Sequence, residues 1–381
     1  MRVPFRRPLL DATGEFTHRR SWLLRLVDDD GVEGLGEVAL NPLASDVATG
    51  SVASLMREIV TALAAGKMPA GAELEAEGEP GRAAIAGLEG AIAALRAGRA
   101  SAGSTASAKG SDPAAIPVSA MIALGGPSAG AEAAAQAVEL GFRTLKLRAG
   151  FERTTDQLVD RLRAIRGAVG PEPRLRVDAG GAWDLDTATE RIESIAPFRI
   201  EYVEQPMAAW DVIGHAALRE RVRTPIALDD SIDSEGSARA ALADRAADVI
   251  VVKPARVGGL AATMRIADSA AAAGATVVLG TYYETGVGIA AVLRIAAAMR
   301  AARDSGPGAR RADGRTAAGG RAVEETGFEP AHGLATAGIL VHDLLAMPLP
   351  IEDGAMAVPG VVALDEDEVD RYATERFEAR P

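Results

Sequence analysis

The chain has 381 residues, 48% of them hydrophobic, no cysteine and a formal net charge of −12. That length accommodates a barrel of about 250 residues and a smaller companion domain, and the missing thiols exclude disulfides, thiolate catalysis and Cys-ligated zinc or iron–sulfur centres. The acidity argues against a nucleic-acid surface, while the lack of a signal-like N-terminus or an uninterrupted apolar span of about 20 residues predicts a cytoplasmic protein with no membrane contact.

Residues 1–100 read as an α+β domain. Ser21–Val27 and Val32–Val38 form strands around the Asp28-Asp29-Asp30-Gly31 turn, and Glu15–Arg20 reads as a polar loop before them. Helical patterns follow at Val52–Ala65 and Gly81–Arg96. The Gly/Ser/Ala-rich stretch from Gly98 to Pro113 reads as a linker, assigned to residues 101–115. Residues 116–345 read as the barrel, opened by Ile116–Ile122 as its first strand.

Five short apolar runs separated by helical patterns then each end in a chemically capable residue. Leu145-Lys146-Leu147-Arg148 ends in cations. Leu175–Asp178, Ile200–Glu204 and Pro225–Asp229 end in acids, and Val249–Lys253 ends in a cation again. Strands alternating with helices predict a parallel sheet closed into a (β/α)8 barrel, whose strand ends converge on one face. Asp178, Glu204 and Asp229 can therefore share a hard cation, and oxygen-only ligation favours Mg²⁺, with Mn²⁺ as the alternative. The competing reading makes each acid a cap for the helix that follows it. A divalent ion there stabilises the charge formed when a proton leaves the carbon α to a carboxylate. Lysines on strands two and six would flank such a substrate from opposite sides, and Lys253 could alternatively form a salt bridge with one of the acids.

Farther on, Ala275–Gly280 reads as the seventh strand, followed by Thr281-Tyr282-Tyr283-Glu284, and Val287–Ala302 reads as a helix. Residues 303–325 read as a disordered surface insertion. His332–Thr336 reads as the eighth strand region, and residues 346–381 as a return to the first domain, ending in a mixed-charge helix. Tyr282 and Tyr283 read as packing residues.

The ordered set Lys146-Leu147-Arg148, Val177-Asp178-Ala179-Gly180-Gly181, Val203-Glu204-Gln205-Pro206, Leu228-Asp229-Asp230-Ser231 and Val252-Lys253-Pro254 resembles the enolase superfamily, and within it the muconate-lactonising subgroup. Thr17–Ser21, Gly280–Gly288 and His332-Gly333-Leu334 look most like o-succinylbenzoate synthases. The resemblance covers nearly the whole chain. It implies a (β/α)8-type barrel with an N-terminal α+β capping domain, and Mg²⁺-dependent dehydration of 2-succinyl-6-hydroxy-2,4-cyclohexadiene-1-carboxylate in menaquinone biosynthesis. It also implies Asp178, Glu204 and Asp229 as metal ligands, with Lys253 stabilising the enediolate by its charge. Arg19, Arg20, Ser21, Gly280, Thr281 and Glu284 are the expected substrate contacts. For Arg19 and Arg20 the other reading is a pair of solvated loop charges. For Glu284 the two readings are support of Lys253 and a polar loop residue. The partner implied is a small carboxylate, and homo-oligomerisation is left open.

Two positions depart from the family pattern: Arg148 replaces the second lysine of Lys-x-Lys, which is the base, and Gly180 stands where Asn is frequent. Arginine stays protonated and is a poor base. Arg148 in an unusual setting, Lys146, or Lys253 from the opposite face are the remaining accounts of the proton transfer. One-base dehydration then fits better than two-base chemistry by an N-acylamino-acid racemase or dipeptide epimerase. A cycloisomerase of the same subgroup, and a catalytically disabled carboxylate-binding barrel, are the further alternatives.

Overall fold

The computed structural model describes residues 1–11, 14–42, 44–102, 115–123, 125–305 and 329–380. The chain begins with three antiparallel strands, β1 (Arg2–Asp11), β2 (Gly14–Val27) and β3 (Glu33–Ala39), followed by helices α1 (Asp46–Ala64), α2 (Gly71–Ala76) and α3 (Glu79–Ala102). Glu15–Arg20 is thus not a loop but part of a 14-residue strand. Its side chains are polar because the strand's two faces meet different surroundings. Arg19 and Ser21 are buried on the face shared with Glu37, whereas Trp22 and Leu24 join the apolar core under α1 and α3. Among the described residues α1 alone has the length and hydropathy of a membrane span. Here it packs Val52, Leu55, Met56 and Ile59 into that core.

The linker reading also needs correction at its start. Helix α3 continues through Gly98–Ala102, and residues 103–114 lie outside the described residues. Alanine favours helix, and Gly98 answers a packing demand, since a Cβ there would fall 2.7 Å from Val32 Cγ1. One residue on, Arg99 Nε donates to Asp28 Oδ2 at 2.5 Å.

The Ile116–Ile122 run divides into β4 (Ile116–Pro117) and β5 (Ala120–Ile122). Then follow α4 (Pro127–Glu139), β6 (Thr144–Arg148), α5 (Thr155–Val169), β7 (Arg174–Asp178), α6 (Leu185–Ile195), β8 (Ile200–Glu204) and α7 (Val212–Arg221). The alternation continues with β9 (Ile226–Leu228), α8 (Glu235–Ala243), β10 (Val249–Val252), α9 (Pro254–Val257), α10 (Gly259–Ala273), β11 (Thr276–Leu279) and α11 (Gly286–Ser305). Helix α11 takes in Arg303–Ser305, the first residues assigned to the insertion, and 306–328 lie outside the described residues. Strand β12 (Ile351–Glu352) pairs with β13 (Ala355–Met356), which pairs in turn with β4, and α12 (Glu366–Tyr372) sets Val369 against Val3, Phe5 and Phe16.

Strands β5 to β11 form one parallel seven-stranded sheet in chain order. Among the described residues it closes through His332 and Gly333 rather than through a full eighth strand. His332 N donates to Pro117 O at 2.8 Å, Ser119 N to His332 O at 2.9 Å, and Gly333 N to Leu279 O at 2.8 Å. The imidazole completes the seam, because Leu279 N donates to His332 Nδ1 at 3.0 Å. The fold is therefore the capped (β/α) barrel the sequence implied. Inside it, Tyr202, Ala227, Val249, Val251 and Val278 form a small apolar cluster. Buried Arg176 lies 4.7 Å from the Tyr202 ring centroid, ion-paired with Glu201, and reaches Ala331 O at 2.7 Å.

Candidate active site

The register of the parallel strands places the charged residues. Arg148 pairs with Asp178, and Asp178 with Glu204, so three inward side chains stand side by side across β6, β7 and β8. Glu204 is level with Ala227, and Ala227 with Val249. Asp229 and Lys253 therefore lie successively farther up the barrel, as the stagger of a closed sheet requires.

None of the three acids serves as the cap of the next helix. Asp184 Oδ1 receives Thr187 N at 2.8 Å on α6, Asp211 Oδ1 receives Gly214 N at 2.9 Å on α7, and Ser234 closes a capping box on α8. The strand-end carboxylates are engaged by cations instead. Lys146 Nζ lies 2.8 Å from Glu204 Oε1 and 3.3 Å from Asp178 Oδ2; Arg148 Nη1 lies 2.8 Å from the same Asp178 oxygen. Lys253 Nζ is ion-paired with Asp229 and lies 3.7 Å from Asp230 Oδ1.

Burial pushes the Glu204 carboxyl up to about 7, reinforced by Asp178 and Asp229 against the opposing pull of Lys146. Burial likewise opposes ionisation of Asp178, but Lys146 and Arg148 outweigh it and hold that group below the usual carboxylate range. Lys253 is buried yet held well above the ordinary lysine range by Asp229 and Asp230. Among the described residues no three acidic or imidazole groups stand together ready to hold a metal, since the cations lie between the acids. The donor set nevertheless fits a hard divalent ion. It offers three buried carboxylates, and Glu204 Oε2 is buried without a hydrogen-bond partner.

The substrate-contact expectations divide. Arg19 is fully buried on the barrel-facing side of β2, where Nη1 donates to Leu40 O at 2.6 Å while Nε and Nη2 have no hydrogen-bond partner. Ser21 lies on the same face, its hydroxyl buried without a hydrogen-bond partner. Arg20 faces the other way and pairs with Asp46 at 2.8 Å, as strand alternation demands. Gly280 N donates to Val252 O at 2.9 Å, placing that glycine level with Lys253, and Thr281 Oγ1 is 3.0 Å from Thr336 Oγ1.

Glu284 does not support Lys253. Its carboxylate folds back onto Tyr282 N, and burial raises it to about 7, with Arg19 opposing and Glu37 reinforcing the shift. Lys253 instead meets Tyr282, whose ring centroid lies 5.3 Å from Nζ, within cation–π range. Tyr283 adopts φ +60 and sets its ring edge-on to Phe5 at 5.9 Å. Both tyrosines pack, as the sequence reading had it, Tyr282 with Ala39 and Ala255 and Tyr283 with Phe5, and in doing so they join the site to the N-terminal sheet. Their one sequence signal was their place directly after a strand end.

Comparison with known proteins agrees with this architecture. The family described as enolase C-terminal domain-like matches residues 129–362. An o-succinylbenzoate synthase of Thermobifida fusca is 39% identical over 186 residues, 48% of this chain and 56% of that protein. An N-succinylamino acid racemase of an Amycolatopsis species is 38% identical over 152 residues, 40% of this chain and 39% of that one. The match spans about half the length of these curated relatives. In three dimensions, muconate lactonizing enzyme from Pseudomonas fluorescens, solved with muconolactone, superposes with a TM-score of 0.75 at 23% identity, covering 97% of this chain and 96% of that one. A probable mandelate racemase from Alicyclobacillus acidocaldarius gives 0.74 at 25% identity, covering 98% and 96%. The chain belongs to the enolase C-terminal domain-like family and, through it, to the enolase superfamily.

Proposed function

We propose that the protein is a Mg²⁺-dependent lyase that dehydrates 2-succinyl-6-hydroxy-2,4-cyclohexadiene-1-carboxylate to o-succinylbenzoate, a step of menaquinone biosynthesis. The observation that carries the reading is the strand-end array itself. Asp178, Glu204 and Asp229 occupy three neighbouring strands, none caps a helix, and cations on β6 and after β10 bracket them. Support for this reaction rather than another comes from o-succinylbenzoate synthases among the relatives, at 39%, 39% and 33% identity.

In this reading residues 1–100 and 346–381 form a cap over the barrel of residues 116–345, and Asp178, Glu204 and Asp229 hold the metal. When bound, Mg²⁺ would take the substrate carboxylate and the negative charge that gathers there as the α-proton leaves. Arg148 supplies fixed positive charge on one side of the substrate, and Lys253 faces it from the other. Dehydration needs one proton carrier. The carrier takes the proton as the C–H bond breaks and returns it to the hydroxyl as the C–O bond breaks, so that water departs. Lys146 and Lys253 are the amines placed to do this once the acids that now hold both of them protonated are taken by the metal, and Arg148 is not. Arg19 and Ser21, with unpartnered buried polar atoms, are the side chains of the cap suited to a second carboxylate. The racemase reading draws support from a relative at 38% identity, but it requires a proton carrier on each face at once, so Lys146 would have to serve the face on which Arg148 stands.

Turnover of the cyclohexadiene substrate with Mg²⁺ tests the reading, using the native protein, Lys253→Ala, Lys146→Ala and Arg148→Lys. Dehydration by the native protein that is lost in a lysine variant supports it. Activity appearing only in Arg148→Lys means a disabled site. No turnover by any of the four, together with α-proton exchange on N-acylamino acids, replaces the lyase with a racemase.

A further inference from the structure

The two departures from the family pattern touch each other. Gly180 adopts φ +57, and its N–H donates to Asp178 Oδ1 at 3.1 Å. The Arg148 guanidinium lies across its α-carbon. A Cβ built at position 180 would fall 2.5 Å from Nη2, 3.0 Å from Cζ and 3.3 Å from Nη1. That Nη1 is the atom bound to Asp178 Oδ2 at 2.8 Å. Any side chain at 180 therefore contests the space from which Arg148 reaches Asp178. The contested atoms end a flexible side chain, so the guanidinium would yield before the backbone did. What changes is the position of a charge beside Asp178, not the fold.

We propose that Arg148 and Gly180 are a matched pair: the bare α-carbon at 180 seats a permanent guanidinium charge against Asp178, making Arg148 a positioning residue for that carboxylate. Lysine, lacking the planar fork, has no need of the same space. The inference rests on the reading of Asp178 as a metal ligand.

Calorimetric titration with Mg²⁺ of the native protein, Gly180→Asn, Arg148→Lys and the double variant tests it without requiring turnover. Asparagine tolerates positive φ, and Gly180→Ala, adding only the Cβ, serves as a second probe. In the arginine background either substitution should tighten Mg²⁺ binding by about tenfold, the scale of coupling between residues in contact, because the displaced guanidinium no longer competes for Asp178. Melting temperature should stay within about 3 °C. In the lysine background the shift produced by Gly180→Asn should fall below about twofold. Equal shifts in both backgrounds, or none in either, overturn the pairing. Absence of Mg²⁺ binding in every variant overturns it together with the metal reading. Intact coupling without dehydration in any variant leaves the pair standing and removes only the lyase.

Discussion

The carboxylate of Glu37 on β3 receives the backbone N–H of Gly288 at 3.0 Å, inside the first turn of α11. It also accepts from Thr285 N at 3.0 Å and Thr285 Oγ1 at 2.6 Å. A buried acid of the N-terminal sheet thus satisfies the opening amides of a barrel helix, where its charge complements the helix dipole. Glu37→Ala should cost about 2–3 kcal/mol by orphaning those donors, and Glu37→Gln roughly half as much. Urea denaturation measures both, and equal stability of all three proteins would contradict this role.

Within the barrel, Arg176 binds Glu201 and the Ala331 carbonyl beside the closing residue. Arg176→Met leaves the buried Glu201 carboxylate with the more distant Arg174 Nη1 at 3.7 Å and should cost about 3 kcal/mol. Pairing it with Glu201→Gln should recover much of the loss. A double variant as unstable as the sum of the singles would assign the damage to packing.

His332 is held at about 3 by burial, so the folded protein refuses a proton that the unfolded chain accepts. The folded value is the lower one, so this contribution is fully present above about pH 6.5 and is lost as pH falls toward 3. The expected slope is about 1.4 kcal/mol per pH unit. His332→Asn, whose side-chain oxygen can stand in for Nδ1, should flatten the stability profile in that window. Parallel profiles for the two proteins would refute the assignment.

Capping and coordination separate by mutation. Asp184→Ala should lower stability by about 1 kcal/mol and leave Mg²⁺ affinity unchanged. Asp178→Asn should weaken Mg²⁺ binding by more than about tenfold with little loss of stability. A reversed pattern would return the strand-end acids to a structural role.

The order cation, acid, acid, acid, cation was legible because each residue ends an apolar run, and parallel strands carry such ends to one face. Glu15–Arg20 was not legible as strand. Its alternation sorts polar groups between a buried and an exposed surrounding, Arg19 toward the barrel and Arg20 toward Asp46, and leaves no hydrophobic period to read. Glu284 was left between support of Lys253 and a polar loop residue, because its surroundings, Arg19 and Glu37, lie far away in sequence. Gly180 was visible as a departure, but only the fold reveals that the space it leaves is filled by Arg148.

The narrow closure at His332 and Gly333 has a consequence for motion. A ladder of seven strands that completes its circle through three backbone bonds and one imidazole is zipped most thinly at that point. Sub-global opening should begin there, because the fewest bonds need to break together. The amides of Ser119, Leu279 and Gly333 should then exchange with deuterium well before those of Val177 and Val203 across the barrel. The circular fold would breathe along one line, and His332 is its latch.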